Sequence, residues 1–515
     1  MGVLDPTQLE IANLAPATVS LVILVLLVAV AFRIWRALVT PLRDLPGPVF
    51  ASFTRLWYLK NVWRGDFEKV NVKLHERYGP IVRIAPNEYS IDDPEAIKVI
   101  YGHGTSFTKA PWYYASGSAD PNEHNLFTDR NPKRHSETRR KVAALYSMST
   151  LVQLEHFVTE GAECMVDKFE GFAQSGVTVN MQEWAQFWAF DVIGLITLAK
   201  RFGFLDTGRD QGGLLGALHG YLLHCANVGI YHEWHPLVTK LEQMLPGQGM
   251  SYLTGFTQKE ITERLNATKR DIESSKEGAD FLSKLLKMHS DDPAKITMAE
   301  VFLGCLTNIG AGSDTTSISF AAIMYHLIKN PEVYKKLRTE IDSKVKEKPC
   351  PNDIITFAET QTMPYLQASI KEGLRMHPAT GLPLARVVPV GGATISGRYF
   401  PEGTIVGVNS WVAHRNKSVF GADAAQYRPE RWLESPERSS QMERYFMAFG
   451  VGSRTCIGKN ISLLEISKLV PEFVRRFDFE LQSPDQPLNT HNAWFVKQTN
   501  FFVKVAKRKI DKLDG

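Results

Sequence analysis

The chain has 515 residues, of which 44% are hydrophobic, 22% charged and 10% aromatic, the profile of a folded globular protein and not of a disordered one. Its 59 basic and 55 acidic residues leave a formal charge of +4 scattered along the sequence, which argues against a polybasic nucleic-acid binder. Five dispersed cysteines, Cys164, Cys225, Cys305, Cys350 and Cys456, form neither a disulfide framework nor a C-x-x-C zinc site, so any special cysteine works alone in a reducing compartment.

From Ile11 to Phe32 the chain carries no charge, and Leu21 to Phe32 is entirely apolar, approaching the roughly 20 residues that span a bilayer as a helix. Asp5 and Glu10 precede this run and Arg33, Arg36 and Arg43 follow it. The positive-inside rule then predicts a signal anchor over 11–32, with 1–10 lumenal and the remainder cytosolic. A cleaved signal peptide is the rival reading, but its first segment would be basic and here it is acidic. Residues 33–48 read as a basic, proline-containing hinge that ends in Leu45-Pro46-Gly47-Pro48, a stiff elbow with two fixed φ angles. No linker or charge block divides residues 49–515, which read as one large domain.

Residues 66–78 have the period of an amphipathic helix ending at Gly79-Pro80, and the alternating stretches 81–84 and 88–91 read as a hairpin. Most of 133–345 is helical by periodicity, with breaks near 203–213, 246–249 and 291–293, and a second set of short strands is expected around 384–408. The class is mainly α with a minor β-sheet. Thr297 to Lys329 opens on a capping box and stops at Asn330-Pro331, giving a helix of about 33 residues and roughly 50 Å. It is apolar on nearly every face and reads as buried, yet its centre is Gly310-Ala311-Gly312-Ser313-Asp314-Thr315-Thr316. Two readings stand: a helix crossing that needs small residues, or a ligand beside the helix, because an unpaired buried polar group costs about 1–3 kcal/mol.

Near the C-terminus stands Phe449-Gly450-Val451-Gly452-Ser453-Arg454-Thr455-Cys456-Ile457-Gly458, a pattern expected by chance with a probability on the order of 10⁻⁴. It resembles the haem-binding loop of the cytochrome P-450 monooxygenases, and the resemblance extends over nearly the whole chain. The resemblance implies the P-450 fold behind one N-terminal transmembrane helix, and haem b whose iron takes the Cys456 thiolate. Phe449, Gly450 and Gly458 would pack at the macrocycle, and Arg454 would neutralise a propionate. Glu372 and Arg375 match the family's E-x-x-R motif, and Arg431, in Pro429-Glu430-Arg431-Trp432, would join their ion pair. Asp314 and Thr315 correspond to the acid and alcohol of the oxygen-activating A-G-x-D/E-T-T pattern.

His135-x-x-x-Arg139 occupies the place of the family's W-x-x-x-R, so Arg139, with Arg386, would hold propionates; for His135 a hydrogen bond to a propionate and an ordinary surface position both stand. Lys133, Arg134, Arg140 and Lys141 read either as a docking face for an acidic electron donor or as a solvated face. No complete G-x-G-x-x-G loop exists. The resemblance therefore implies electrons from NADPH through a partner flavoprotein reductase, with cytochrome b5 as a second donor, at the endoplasmic reticulum membrane. A haem-thiolate isomerase or peroxygenase on the same fold, and a non-catalytic haem-binding protein, are the alternatives; Asp314-Thr315 weighs against the first and Cys456 in its full loop against the second. Phe107 to Tyr114, 212–234, Phe302 to Ala311, Thr380 to Leu384 and Trp494 to Val496 would line an apolar pocket for a lipophilic small molecule. The stretches 79–88 and 107–113 are most similar to filamentous-fungal members like pisatin demethylase, which implies secondary metabolism. The sequons at Asn266, Asn416 and Asn460 would stay unglycosylated on the cytosolic side.

Overall fold

The N-terminal apolar run forms one continuous helix, α1 (Pro6–Val39). Its stretch Val19–Val39 has a mean hydropathy of 2.4, is not buried by the rest of the protein, and is long and apolar enough to cross a membrane. The helix continues past Phe32, so the elbow is confined to residues 40–48. That elbow is fixed to the body. Buried Arg83 donates to the carbonyls of Leu42 at 2.5 Å and Pro86 at 3.1 Å, and its backbone N–H donates to the Pro46 carbonyl at 2.8 Å. A Cβ on Gly47 would stand 2.4 Å from the Arg83 carbonyl oxygen, so this close crossing excludes a side chain there.

The computed structural model describes residues 6–118, 124–244, 249–266, 280–348 and 353–509. Most of the expected break at 246–249 lies outside them, as does Cys350. Helices dominate, with small sheets between them. Helix α2 (Phe67–Tyr78) ends at Gly79, whose φ of 91° favours glycine, and leads into the hairpin of β1 (Ile81–Ala85) and β2 (Glu88–Ile91). Three short strands complete that sheet: β3 (Thr108–Lys109), β4 (Arg386–Val387) and β5 (Ile405–Gly407), in the order β1-β2-β5-β4-β3. Its register sets Lys109 directly opposite Arg386. Near the C-terminus β6 (Thr490–Ala493) and β7 (Phe495–Gln498) form a hairpin that turns at Trp494, φ 72°.

The helices that position the site are α3 (Pro132–Val142), α4 (Met181–Leu198), α5 (Leu214–Val228), α6 (Met298–Lys329), α7 (Pro364–Met376) and α8 (Lys459–Arg476). The capping box is present at Thr297, and α6 runs 32 residues, about 48 Å at the usual rise. It crosses α4 where Gly312 meets Ile193 and α7 where Gly373 meets Ile323; a Cβ would come within 2.9 Å and 2.5 Å of those isoleucines. α6 is buried along most of its length, as expected. Thr307 and Ala311, one turn apart, are exposed, and Gly310, Gly312 and Thr315 are half-buried. These residues line one face at the centre of the helix, while Thr316 to Met324 are buried.

Candidate active site

The loop before α8 is folded by its own backbone. The Cys456 N–H donates to the Phe449 carbonyl at 2.8 Å and the Thr455 N–H to Gly452 at 3.1 Å, closing a tight turn in which Gly450 and Gly452 take φ of 66° and 67°. Gly452 presses on Tyr101 so closely that a Cβ would overlap its carbonyl oxygen at 1.7 Å, whereas a Cβ on Gly458 would meet no protein atom within 4 Å. Cys456 sits at the start of α8 with its residue surface accessible, although protein atoms crowd its thiol. Burial pushes the thiol's pKa up, opposed by hydrogen bonds from the backbone of Gly458 and Lys459 and by the Arg139 and Lys459 charges.

Beside this loop four cations converge. Lys109 and Arg386 are buried; Arg139 and Arg454 are half-buried. Lys109 donates to the Phe127 carbonyl, and its ammonium lies 3.9 Å from the centroid of the Phe127 ring and 4.3 Å from that of Tyr113. Arg386 reaches the Ala385 carbonyl at 3.0 Å and the Tyr113 hydroxyl at 3.4 Å; Arg454 reaches the Asp129 carbonyl at 2.8 Å. The Asp129 carboxylate is taken by Arg134 at 2.7 and 2.8 Å. Among the described residues none of the four cations has a carboxylate within ion-pair distance. Burial first, then Arg386, Arg454 and Arg139, drives the Lys109 pKa well down, and Arg454 is lowered to about 10 by burial and then Arg386. His135 is buried in the same place, not on the surface, and burial followed by Arg454, Arg139 and Lys109 lowers it to about 4. Sequence reasoning missed Lys109, a lone charge in an aromatic stretch.

Glu372, Arg375 and Arg431 meet in full burial, at 0% exposure each. Glu372 accepts from Arg375 Nε and Nη2 and from Arg431 Nε, all at 2.8 Å. Trp432 Nε1 and the Arg428 backbone N–H each add a hydrogen bond at 2.9 Å.

On α6, Asp314 is buried and accepts from Gln186 Nε2 of α4, while Gln186 Oε1 accepts from Lys497 of β7. The Thr315 hydroxyl donates to the Ala311 carbonyl at 2.9 Å. Neither Gln186 nor Lys497 carries a local signal in the sequence. Two of the expected pocket segments meet through rings, Trp112 and Trp494 lying edge-to-face at 5.1 Å, with Phe127 added 5.3 Å from Trp494; a third joins through a backbone β-bridge between Thr380 and Phe495. The stretch 212–234 joins them where Gly229 abuts Trp112 and the Tyr221 hydroxyl donates to the Ser116 carbonyl at 2.8 Å.

The family model described as cytochrome P-450 matches residues 46–505. The chain belongs to the cytochrome P-450 family. Among its P-450 relatives, pisatin demethylase of Fusarium vanettenii is 40% identical over 467 residues, 90% of each chain. The cytochrome P-450 monooxygenase cicH of Emericella nidulans is 36% identical over 474 residues, covering 91% of this chain and 94% of the relative. The monooxygenase gsfF of Penicillium aethiopicum is 36% identical over 479 residues, 91% and 94%. The protein is thus an oxidoreductase of the monooxygenase class, and P-450 membership implies a haem-thiolate iron cofactor. The residues present fit that group. A macrocycle bearing two propionates supplies the carboxylates that the cation cluster lacks, and Cys456, with an accessible residue surface, stands beside a Gly458 whose side-chain position is open.

Proposed function

We propose that the protein is a membrane-anchored monooxygenase that inserts one oxygen atom into a lipophilic small molecule of fungal secondary metabolism, drawing electrons from NADPH through a separate flavoprotein reductase. The balance is RH + O2 + NADPH + H+ → ROH + H2O + NADP+. Haem, when bound, supplies the iron at which dioxygen is activated. Cys456 would supply its thiolate to that iron, with backbone N–H groups of Gly458 and Lys459 moderating the sulfur's charge. Arg139, Arg386, Arg454 and Lys109 would hold the propionates, with the buried His135 among them. Phe449 and Gly450 pack at the ring, and Glu372, Arg375 and Arg431 lock the fold. Asp314 passes protons inward, and Thr315 orders them at the oxygen-binding side. The aromatic wall of Trp112, Phe127 and Trp494 keeps bulk water out and suits an apolar substrate.

The charge asymmetry around α1 supports a lumenal 1–10 and a cytosolic catalytic domain from residue 49 onward, at the endoplasmic reticulum. Reductase, or cytochrome b5, docks on α3. There Arg134 and Lys141 are paired with Asp129 and Glu300, which leaves exposed Lys133 and Arg140 to meet an acidic partner. The observation that carries the residue assignments is the group of four cations without a carboxylate beside an accessible Cys456. The test is the carbon monoxide difference spectrum of the reduced protein, followed by NADPH oxidation with purified reductase. A thiolate band in the wild type that Cys456→Ala abolishes is expected; a band that survives Cys456→Ala would remove the ligand assignment.

A further inference from the structure

A cavity of about 180 Å³ is lined by His219 of α5, Asp314 and Ile318 of α6, and His491, Lys497 and Thr499 of the C-terminal hairpin region. Thr499 is exposed and Asp314 is 5% exposed, so the cavity runs from the surface to the buried centre of α6. The rings of His219 and His491 stand 5.9 Å apart. Burial, then the charges of Lys497 and His491, lowers the His219 pKa, and Asp314 opposes this. Among apolar Leu222, Ala493 and Phe495, the imidazole, hydroxyl and carboxylate groups of this lining give water the two to four polar partners it needs, and the volume holds several molecules at roughly 30 Å³ each.

The Asp314 carboxylate is clamped from the side. The Gln186 amide can satisfy both neighbours in only one orientation, with its oxygen toward the Lys497 ammonium and its nitrogen toward Asp314. Every hydrogen bond in this chain points from Lys497 toward Asp314, and an amide does not readily exchange a proton between its two ends. The chain is therefore a holder and not a proton wire. Protons must come to Asp314 by the cavity.

We propose that this cavity is the inlet by which protons reach Asp314 from solvent, and that Lys497, acting through Gln186, is the positioning residue that keeps the Asp314 carboxylate at its inner wall. The inference rests on the monooxygenase reading above, whose chemistry takes up two protons for each oxygen molecule split.

The experiment uses the full-length haem protein with NADPH and purified reductase, without added substrate, in H2O and in D2O. His219→Phe narrows the cavity and Lys497→Met releases the clamp. Both are expected to keep the thiolate carbon monoxide band, to oxidise NADPH about tenfold more slowly, and to show a larger solvent isotope effect than the wild type. Lys497→Arg keeps a charged donor and should restore the rate. Infrared difference spectra against Asp314→Asn isolate the Asp314 carboxylate stretch, which should shift in Lys497→Met. Wild-type rates and isotope effects in His219→Phe and Lys497→Met, beside a slow Asp314→Asn, overturn the inlet while leaving the monooxygenase reading in place. An Asp314→Asn protein as fast as wild type overturns the inlet together with the role given to Asp314, and a wild type lacking the carbon monoxide band overturns the monooxygenase reading itself. An unshifted stretch in Lys497→Met overturns the clamp.

Discussion

The indole N–H of Trp432 donates to Glu372 Oε2 at 2.9 Å, in a site where Glu372 has no solvent exposure at all. It is one of five donors on this carboxylate, the others being two from Arg375, one from Arg431 and the Arg428 backbone N–H. The two guanidiniums exceed one carboxylate, and Asp423, 3.1 Å from Arg431 Nη1, supplies a second negative charge. Such a network is costly to open from either side.

Glu372→Ala is accordingly expected to destabilise the fold by about 3–5 kcal/mol, because two buried guanidiniums lose their shared partner. The check is haem content and denaturant midpoint of the purified protein. Trp432→Phe keeps an aromatic side chain but loses the pyrrole half of the indole and with it one hydrogen bond to a charged acceptor, at about 1.5–3 kcal/mol for the hydrogen bond. A fully stable, haem-loaded Glu372→Ala would show that the pair does not hold the fold.

Lys109 is opposed by Arg386 across two strands and repelled by Arg454 and Arg139. The same substitution should therefore have opposite effects with and without the cofactor. Lys109→Met is expected to speed haem loss to an acceptor protein by about tenfold, the loss of one charge-assisted contact worth roughly 1.5 kcal/mol. It should raise the melting temperature of the haem-free protein, since one of four mutually repelling cations, itself buried, is gone. If both quantities fall, Lys109 serves packing alone.

The His135 imidazole is held at about 4 against an ordinary 6.5, first by burial and then by Arg454, Arg139 and Lys109. Between those values the unfolded chain binds the proton and the folded chain does not. The stability this group contributes is complete above about pH 6.5 and is lost as pH falls toward 4. His135→Phe should therefore lose less unfolding free energy between about pH 7 and about pH 5 than the wild type. Parallel curves for the two proteins would place His135 outside the cation cluster.

The residues whose chemistry is local in sequence were the legible ones. The capping box at Thr297, the turn at Gly79 and the Cys456 loop each declare a backbone need within a few positions. Glu372, Arg375 and Arg431 were legible as a buried ion pair, but the part played by Trp432 was not, because it depends on a segment some sixty residues away folding over Glu372. Lys109, Gln186 and Lys497 left no pattern: each acquires its role from a partner brought in by tertiary packing, Arg386 across a strand pair or Asp314 across two helices.

The membrane anchor and the elbow behind it should be separable. A chain beginning at Thr40 keeps the Leu42 and Pro46 carbonyls that bind Arg83, and is expected to fold and bind haem as the full chain does. One beginning at Val49 leaves a guanidinium 2% exposed without the Leu42 acceptor, at a cost of about 3 kcal/mol. The Thr40 form should still sediment with phospholipid vesicles. Val49, Phe50 and Trp63 are exposed, as are Trp234, Leu241 and Met244, and Arg55 ties the two segments by donating to the Ile230 carbonyl and pairing with Glu233, both at 2.9 Å. Vesicle binding that survives replacement of Trp63, Trp234 and Leu241 by serine would show that another surface carries it.

Thr315 commits its hydroxyl proton to the Ala311 carbonyl, so toward the open face of α6 it offers lone pairs and not a proton. It can hold a proton donor, such as a water supplied through Asp314, at the place where oxygen is reduced, but it does not donate itself. Without that acceptor, electrons should still flow while the delivered protons go astray. Thr315→Ala is thus expected to keep its haem and its rate of NADPH oxidation and to release several-fold more hydrogen peroxide per NADPH, whereas Thr315→Ser should stay near the wild type. The neighbouring Thr316 gives the control. Its hydroxyl is buried against Ser462 at 2.8 Å and faces α8, so Thr316→Ala should cost stability without changing the peroxide yield. An unchanged peroxide yield in Thr315→Ala, or an equal rise in Thr316→Ala, would mean that the alcohol shapes the helix and does not order the protons.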